Sequence, residues 1–75
     1  MDWQDYITVD PLVSHGRACI RGTRVPVSVV LDNLAAGLSP DEIRASYPAV
    51  SPEAVRAALA YAADLAGERT LDLAA

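Results

Sequence analysis

The pattern of apolar and polar positions divides the chain into a short β-prone front and three helical segments. The β-forming residues at 6–9 are followed by Asp10-Pro11, which stops a strand. Residues 18–20 and 23–27 then flank Arg21-Gly22, so the pattern predicts a small hairpin between these two arms. Gly22 would occupy a turn position that needs a positive φ, which glycine adopts without steric cost.

The first helix is predicted over about 28–36, where apolar residues recur at helical spacing. Pro26 ends the preceding strand and suits the start of a helix, with Ser28 as a nearby cap candidate. Gly37 is expected at the position just after the last helical residue, where a left-handed backbone closes many helices.

A capping box predicts the second helix. Ser39 precedes Pro40, and Glu42 lies three residues after Ser39, so the serine and the glutamate can each bond the other's backbone N–H. The helix is expected to run from 40 to 46, because Pro48 disfavours a helical conformation at the residue before it.

Ser51-Pro52-Glu53 repeats this start signal and predicts a third helix over 52–66, with Gly67 as its stop. Its spacing gives one apolar stripe and one alanine face, the latter free to pack against another copy or a partner. The expected buried stripe is Val55, Ala58, Leu59, Ala62 and Leu65 or Ala66. The expected outer face is Ala57, Ala60 and Ala63.

These elements predict a mainly α fold with a small N-terminal β-hairpin and a three-helix bundle. The short second helix, the tight connection and the longer third helix form a helix-turn-helix layout. We expect a single domain over 1–67 and a short C-terminal tail over 68–75. A chain of 75 residues buries only about 60–65% of its unfolded surface, so we expect a homodimer or a higher oligomer.

Composition and charge narrow the classes of function. A hydrophobic fraction of 52% favours a folded domain, and a net charge of −4 is not typical of an undirected nucleic-acid binder. Residues 13–26 nevertheless hold three of the six basic residues and no acidic residue. Neither a signal sequence nor a run of about 20 apolar residues is present, so we expect a cytoplasmic protein that does not bind a membrane.

Two regions are candidates for binding. Three arginines surround the predicted turn, and guanidinium groups at this density bind phosphate or carboxylate. The alternative is that they are solvated and pair with nearby aspartates, at about 0–1 kcal/mol each. The start of the third helix would face a DNA groove. The residues expected to contact DNA or a protein partner are Arg17, Arg21, Arg24, Arg44, Ser51, Arg56 and Arg69.

Three single residues suggest no catalytic or metal chemistry. His15 has no partner at a recognisable spacing, and one histidine with one cysteine does not match a structural zinc site. Cys19 is expected to be a small packing residue, and a reactive thiol beside the arginines is the alternative. Trp3 is either a lid on the core or an interface anchor. We therefore expect no enzyme activity, no cofactor and no metal.

Two stretches resemble the bacterial domain-of-unknown-function family number 433. The first is Asp10-Pro11 with the run 16–27, Gly-Arg-Ala-Cys-Ile-Arg-Gly-Thr-Arg-Val-Pro-Val; the second is 36–43, followed by Tyr47-Pro48 and 51–55. Ala18 departs from the proline that is common in the family, but Gly22 still supplies the turn. The resemblance covers about residues 5–66.

The resemblance implies a homeodomain-like domain, and members are proposed to be VapB-like antitoxins encoded beside a PIN-like nuclease. By this analogy the leading hypothesis is the antitoxin of a type II toxin–antitoxin pair, which neutralises a PIN-like ribonuclease toxin and also regulates its operon by binding operator DNA. The metal-binding carboxylates of such a toxin would attract the hairpin arginines or Arg69. The alternative is a homo-oligomeric protein-interaction module that binds no nucleic acid.

Overall fold

The computed structural model describes residues 2–12 and 16–68. Within these ranges the fold is mainly helical with a two-stranded hairpin at its N-terminal end, as the sequence predicts. A 3-10 helix at Trp3–Asp5 precedes the strands β1 (Ile7–Val9) and β2 (Ala18–Ile20). The helices that follow are α1 (Val27–Ala35), α2 (Pro40–Ser46) and α3 (Pro52–Glu68).

The hairpin pairs different segments from those predicted. β1 and β2 are antiparallel, with Ile7 opposite Ile20 and Val9 opposite Ala18. Both isoleucines of the first pair are buried. The sheet therefore fixes the N-terminal segment to the centre of the fold, which sequence spacing alone does not reveal.

The prediction of a strand over 23–27 is wrong, because this segment pairs with β2 only at an isolated bridge between Cys19 and Pro26. The Thr23 hydroxyl accepts the N–H of Val25 at 3.0 Å, and a proline has no N–H to donate. With these donors occupied or missing, no ladder extends along the segment, and the chain continues directly into α1.

α1 begins one residue earlier than predicted. Pro26 is its N-cap, with an extended backbone (φ −65°, ψ 145°) and no side-chain capping bond. Ser28 lies inside the first turn and does not cap the helix. The fixed φ of proline is already suited to this junction.

Gly37 closes α1 in a left-handed conformation with φ 92°. Its N–H donates to the carbonyl of Leu34 at 2.9 Å, and the N–H of Leu38 donates to the carbonyl of Asn33 at 3.1 Å. This pair of bonds is the Schellman arrangement, which satisfies carbonyls that the helix leaves without a partner.

Serine caps begin α2 and α3. The Ser39 hydroxyl accepts the N–H of Glu42, whose carboxylate in turn accepts the N–H of Ser39, so the predicted capping box is present. At α3 the Ser51 hydroxyl accepts the N–H of Ala54 at 3.1 Å. The predicted stop at Gly67 is wrong: α3 includes Gly67, and this glycine does not adopt the positive φ of a helix-closing residue.

The core lies between the sheet and the three helices. Its members are aliphatic and at most 3% exposed, and Trp3, Tyr6, Tyr47 and Tyr61 pack at its edge. The buried cluster consists of Ile7, Ile20, Val27, Val30, Ile43, Val50, Ala54, Val55, Ala57 and Ala58.

The predicted phase of α3 is wrong by about one position. Leu59 and Leu65 are 49% and 46% exposed, whereas Ala54 and Ala57 are buried with the correctly predicted Val55 and Ala58. The small side chains on the core side let α3 pack closely against its neighbours. Ala57 therefore belongs to the core, and the predicted outer alanine face does not exist as a continuous surface.

Candidate binding surfaces

The turn between β2 and α1 is held by a compact set of hydrogen bonds. The N–H of Ile20 donates to the carbonyl of Val25 at 2.9 Å, and the N–H of Thr23 donates to the carbonyl of Ile20 at 3.0 Å. The Thr23 hydroxyl also donates to the Ile20 carbonyl at 2.7 Å. Gly22, at φ 78°, supplies the left-handed residue that the turn requires. These bonds hold the backbone of the turn from within the chain itself.

Arg21 connects this turn to the N-terminal segment. Its guanidinium donates to the carbonyl of Gln4 at 2.9 Å and lies 3.5 Å from the carbonyl of Ile7. Its backbone N–H donates to the carbonyl of Tyr6 at 2.7 Å. Because its guanidinium is bonded to the Gln4 carbonyl and its N–H to the Tyr6 carbonyl, Arg21 stabilises the fold and is less suited to partner contact than sequence spacing indicates.

All three arginines of this group are exposed, and Arg17 and Arg24 differ from Arg21 in their partners. In the described part of the chain, neither side chain forms a hydrogen bond or an ion pair. Arg17 lies just before β2, and Arg24 lies in the turn that Gly22 and Thr23 fix. Both side chains therefore lie on the surface with no anionic partner among the described residues.

The helix-turn-helix layout is present in α2 and α3, but its charges are mixed. Arg44 is exposed near the end of α2. Arg56 lies 3.8 Å from the carboxylate of Glu53 one helical turn earlier, and both side chains are largely exposed. The Ser51 hydroxyl is occupied as the cap of α3. The first turns of α3 therefore present an ion pair and no isolated positive charge.

Two of the residues singled out from the sequence, His15 and Arg69, lie outside the described residues. Cys19 is buried at 1% exposure, which fits a packing role. Among the residues that the structure describes, no cluster of His, Cys, Asp and Glu could hold a metal ion.

Two open grooves that the sequence pattern does not predict lie on either side of the C-terminal half of α3. The first, about 600 Å³, is lined by Trp3, Gln4, Tyr61, Asp64 and Leu65, and we call it the Trp3 groove. The second, about 530 Å³, is lined by Arg17, Ala18, Val27, Leu31, Tyr61 and Leu65, and we call it the Arg17 groove. The half-buried Tyr61 and the exposed Leu65 line both grooves, and we call this pair of side chains between the grooves the Tyr61–Leu65 ridge.

Trp3 fixes one wall of the first groove. Its indole N–H donates to the carboxylate of Asp64 on α3, and its ring meets Tyr61 edge-on, with centroids 4.8 Å apart and an interplanar angle of 80°. The edge of one aromatic ring is attracted to the face of the other. Trp3 thus holds the N-terminal 3-10 helix against α3.

None of the described helices is both long and apolar enough to cross a membrane.

A family model for proteins of unknown function, DUF433, matches residues 7–62, which is most of the chain. The chain belongs to the DUF433 family. The match includes both strands, the turn, α1 and α2, and it ends six residues before the end of α3. The resemblance inferred from residues 16–27 and 36–55 is thereby confirmed.

This DUF433 chain is similar to two further proteins, one of them of known structure. A crystal structure of a DUF433 member from Anabaena variabilis ATCC 29413 superimposes with a TM-score of 0.76 at 32% identity, over 87% of this chain and 64% of the other. An uncharacterized protein, y4eO, from Sinorhizobium fredii (strain NBRC 101917 / NGR234) is 36% identical over 59 residues, or 79% of this chain. The chain spans only 27% of that relative's length.

Proposed function

We propose that this DUF433 protein is the antitoxin of a type II toxin–antitoxin pair and that its partner is a PIN-like ribonuclease toxin. The observation that carries the proposal is the ordered turn between β2 and α1, which presents Arg24 without a competing partner among the described residues. The proposed function depends on the kind of site that an exposed arginine complements.

The active site of a PIN-like nuclease is a cluster of carboxylates that bind metal. A guanidinium group complements such a cluster, because it can donate two parallel hydrogen bonds to one carboxylate. The turn is already fixed by Gly22, Thr23 and the Arg21 bonds, so binding does not have to order its backbone. Arg24 is therefore the residue that we assign to toxin inhibition.

The proposal requires that the neighbouring gene encode a PIN-like ribonuclease, and the experiment measures inhibition of that protein. Its RNA cleavage is titrated with the wild type, with Arg24→Ala and with Arg44→Ala as a matched control. Both variants lose one exposed arginine that has no partner among the described residues. We expect Arg24→Ala to weaken inhibition about tenfold or more, since loss of a central interface arginine costs roughly 2 kcal/mol, and Arg44→Ala to inhibit like the wild type.

Two results would count against this assignment. If the wild type neither binds nor inhibits the neighbouring gene product, the antitoxin role fails. If Arg44→Ala weakens inhibition as much as Arg24→Ala does, the contribution is general charge and the turn has no special part in it.

The second candidate function is a homo-oligomeric protein-interaction module that binds no nucleic acid. The ion pair between Arg56 and Glu53 favours it, because the first turns of α3 would face the major groove in a helix-turn-helix complex. A glutamate at that place is repelled by phosphate, and it also competes with DNA for the arginine.

Binding to the protein's own promoter, measured as a function of salt concentration, separates two modes of DNA binding: base reading by α3 and phosphate contact by exposed arginines. If α3 reads bases, Arg56→Ala should relax base preference at a cost of about 1–3 kcal/mol. If exposed arginines only grip phosphates, Arg24→Ala or Arg44→Ala should each reduce the slope of log affinity against log salt by about 0.9 per lost contact. Absence of binding at low salt, with the toxin present, would remove autoregulation and leave the interaction module.

A further inference from the structure

The outer surface of α3 consists of a ridge with a groove on each side. Tyr61 and Leu65 are four residues apart on this helix and line both grooves. Rows of side chains at this spacing are the ridges that pack into the grooves of another helix. Leu65 is 46% exposed although it is a large apolar residue. A surface that carries a ridge beside a groove of apolar lining can complement a copy of itself.

We propose that a second copy of this chain occupies this surface and that the two copies form a symmetric dimer around α3. The Tyr61–Leu65 ridge of each copy inserts into the Arg17 groove of the other, where it meets Ala18, Val27 and Leu31. A two-fold axis makes both insertions equivalent, because each patch contacts its own counterpart. The Trp3 groove of each copy then lies on the outer side of the inserted ridge.

The charges on the two sides of the ridge support this arrangement. An inserted ridge lies between the other copy's ridge and the wall that carries Arg17. The side of each ridge that borders its own Arg17 groove faces the other ridge. The opposite side, which borders the Trp3 groove and carries Asp64, therefore faces Arg17 of the second copy. The dimer therefore brings a carboxylate and a guanidinium together twice.

Both charged groups have the capacity for this contact. Asp64 accepts the Trp3 indole N–H through Oδ2, and no described residue donates to its Oδ1. Arg17 has no partner in the described part of its own chain. With a net charge of −4 on each copy, two subunits repel each other at long range, and a pair of opposite charges at the interface offsets part of that repulsion.

The dimer surface differs from the one that sequence spacing suggested. Ala57 is fully buried in the core of its own subunit, so a face of Ala57, Ala60 and Ala63 is not open to a second copy. The larger side chains of the ridge take its place. The inference does not rest on the antitoxin proposal, since it concerns this chain alone.

The test is sedimentation equilibrium of the purified full chain over a wide range of concentration. We expect the wild type to be a dimer. Leu65→Glu should raise the dimer dissociation constant about tenfold or more, because a buried charge without a partner opposes association. Leu59→Glu is the matched control: Leu59 lies on the same helix at 49% exposure but lines neither groove. We expect it to dimerise like the wild type, and circular dichroism checks that both variants fold.

Charge reversal tests the orientation of the two copies. Arg17→Glu and Asp64→Arg should each raise the dimer dissociation constant, and the double variant should recover most of the loss, because the reversed charges again attract. Trp3→Phe removes the indole bond to Asp64 and keeps the carboxylate, so it separates the charge effect from the loss of that bond. The proposal would be overturned by a monomeric wild type, by a dimer that Leu65→Glu leaves intact, or by a Leu59→Glu variant that dissociates as readily as Leu65→Glu. Lack of recovery in the double variant would overturn the Asp64–Arg17 contact.

Discussion

The indole N–H of Trp3 donates a hydrogen bond to Oδ2 of Asp64, and this bond joins the N-terminal 3-10 helix to the C-terminal half of α3. The Trp3 ring packs edge-on against Tyr61 on the same helix. Contacts between residues so distant in sequence limit how far either segment can open separately. The pair therefore contributes to stability as a unit, and its two members should be coupled in a mutational cycle.

We predict that Asp64→Ala lowers the free energy of unfolding by about 1 kcal/mol through loss of this hydrogen bond. Trp3→Phe should cost a similar amount, and the double variant should cost less than the sum, with a coupling of about 0.5–1 kcal/mol. Urea unfolding followed by circular dichroism, at one protein concentration, measures all three. Asp5→Ala is the control, because Asp5 is exposed and its side chain has no described partner; additive costs would contradict the coupling.

Replacement of Gly22 tests the strain of the turn. At φ 78° the residue lies in the left-handed region, and an added Cβ would meet no heavy atom within 4 Å. The cost of Gly22→Ala therefore comes from the backbone alone, and we expect about 1 kcal/mol of destabilisation. Thermal and urea unfolding measure it.

Gly67→Ala is the matched control for Gly22→Ala. It also places a methyl group in open space, but within α3 and without a positive φ. Alanine is favoured over glycine in a helix, so this variant should be equally stable or up to about 1 kcal/mol more stable. Changes of the same sign at both positions would show that the conformation of the turn is not what makes Gly22 necessary.

The capping box of α2 should give stability a specific dependence on pH. The backbone hydrogen bond from Ser39 lowers the pKa of Glu42 below its ordinary value, and the Ser39 side chain adds to this effect. A carboxyl whose pKa is lower in the folded state contributes stability above its unfolded pKa. That contribution is lost as the pH falls through the lowered value.

We expect Glu42→Gln to remove this acid-dependent part of the unfolding free energy and Ser39→Ala to cost about 1 kcal/mol at neutral pH. Unfolding measured from neutral to acidic pH compares both variants with the wild type. An acid profile of Glu42→Gln that coincides with the wild-type profile would contradict the role of the box.

Arg21 and Arg24 should separate stability from binding. Arg21→Ala removes the guanidinium bond to the Gln4 carbonyl at 2.9 Å, and we expect it to cost about 1–2 kcal/mol, because the donor is charged. The bond to Ile7 at 3.5 Å is long and adds little. Arg24→Ala should change stability by no more than about 0.5 kcal/mol. Equal stability of the two variants in urea would show that Arg21 does not hold the N-terminal segment.

Local chemistry in the sequence determined where α2 and α3 begin and where α1 ends. Ser39 and Glu42 define the start of α2 within four consecutive residues, and Gly37 closes α1 through bonds that reach back only a few residues. Such signals need no knowledge of the rest of the fold, because all the atoms involved are neighbours in the chain. The string at 16–27 that carries the family resemblance predicts local structure for the same reason, since its residues are neighbours in the chain and form one turn.

Only the tertiary structure decided which segments meet. Residues 18–20 pair with 7–9 and not with 23–27, and Arg21 bonds carbonyls of the N-terminal segment. In α3 the core lies on the side of Ala54, Ala57 and Ala58, so Leu65 is exposed beside the half-buried Tyr61. Helical spacing defines an apolar stripe only to within the width of that stripe, and the packing of α3 against the sheet and the other helices fixes its rotation.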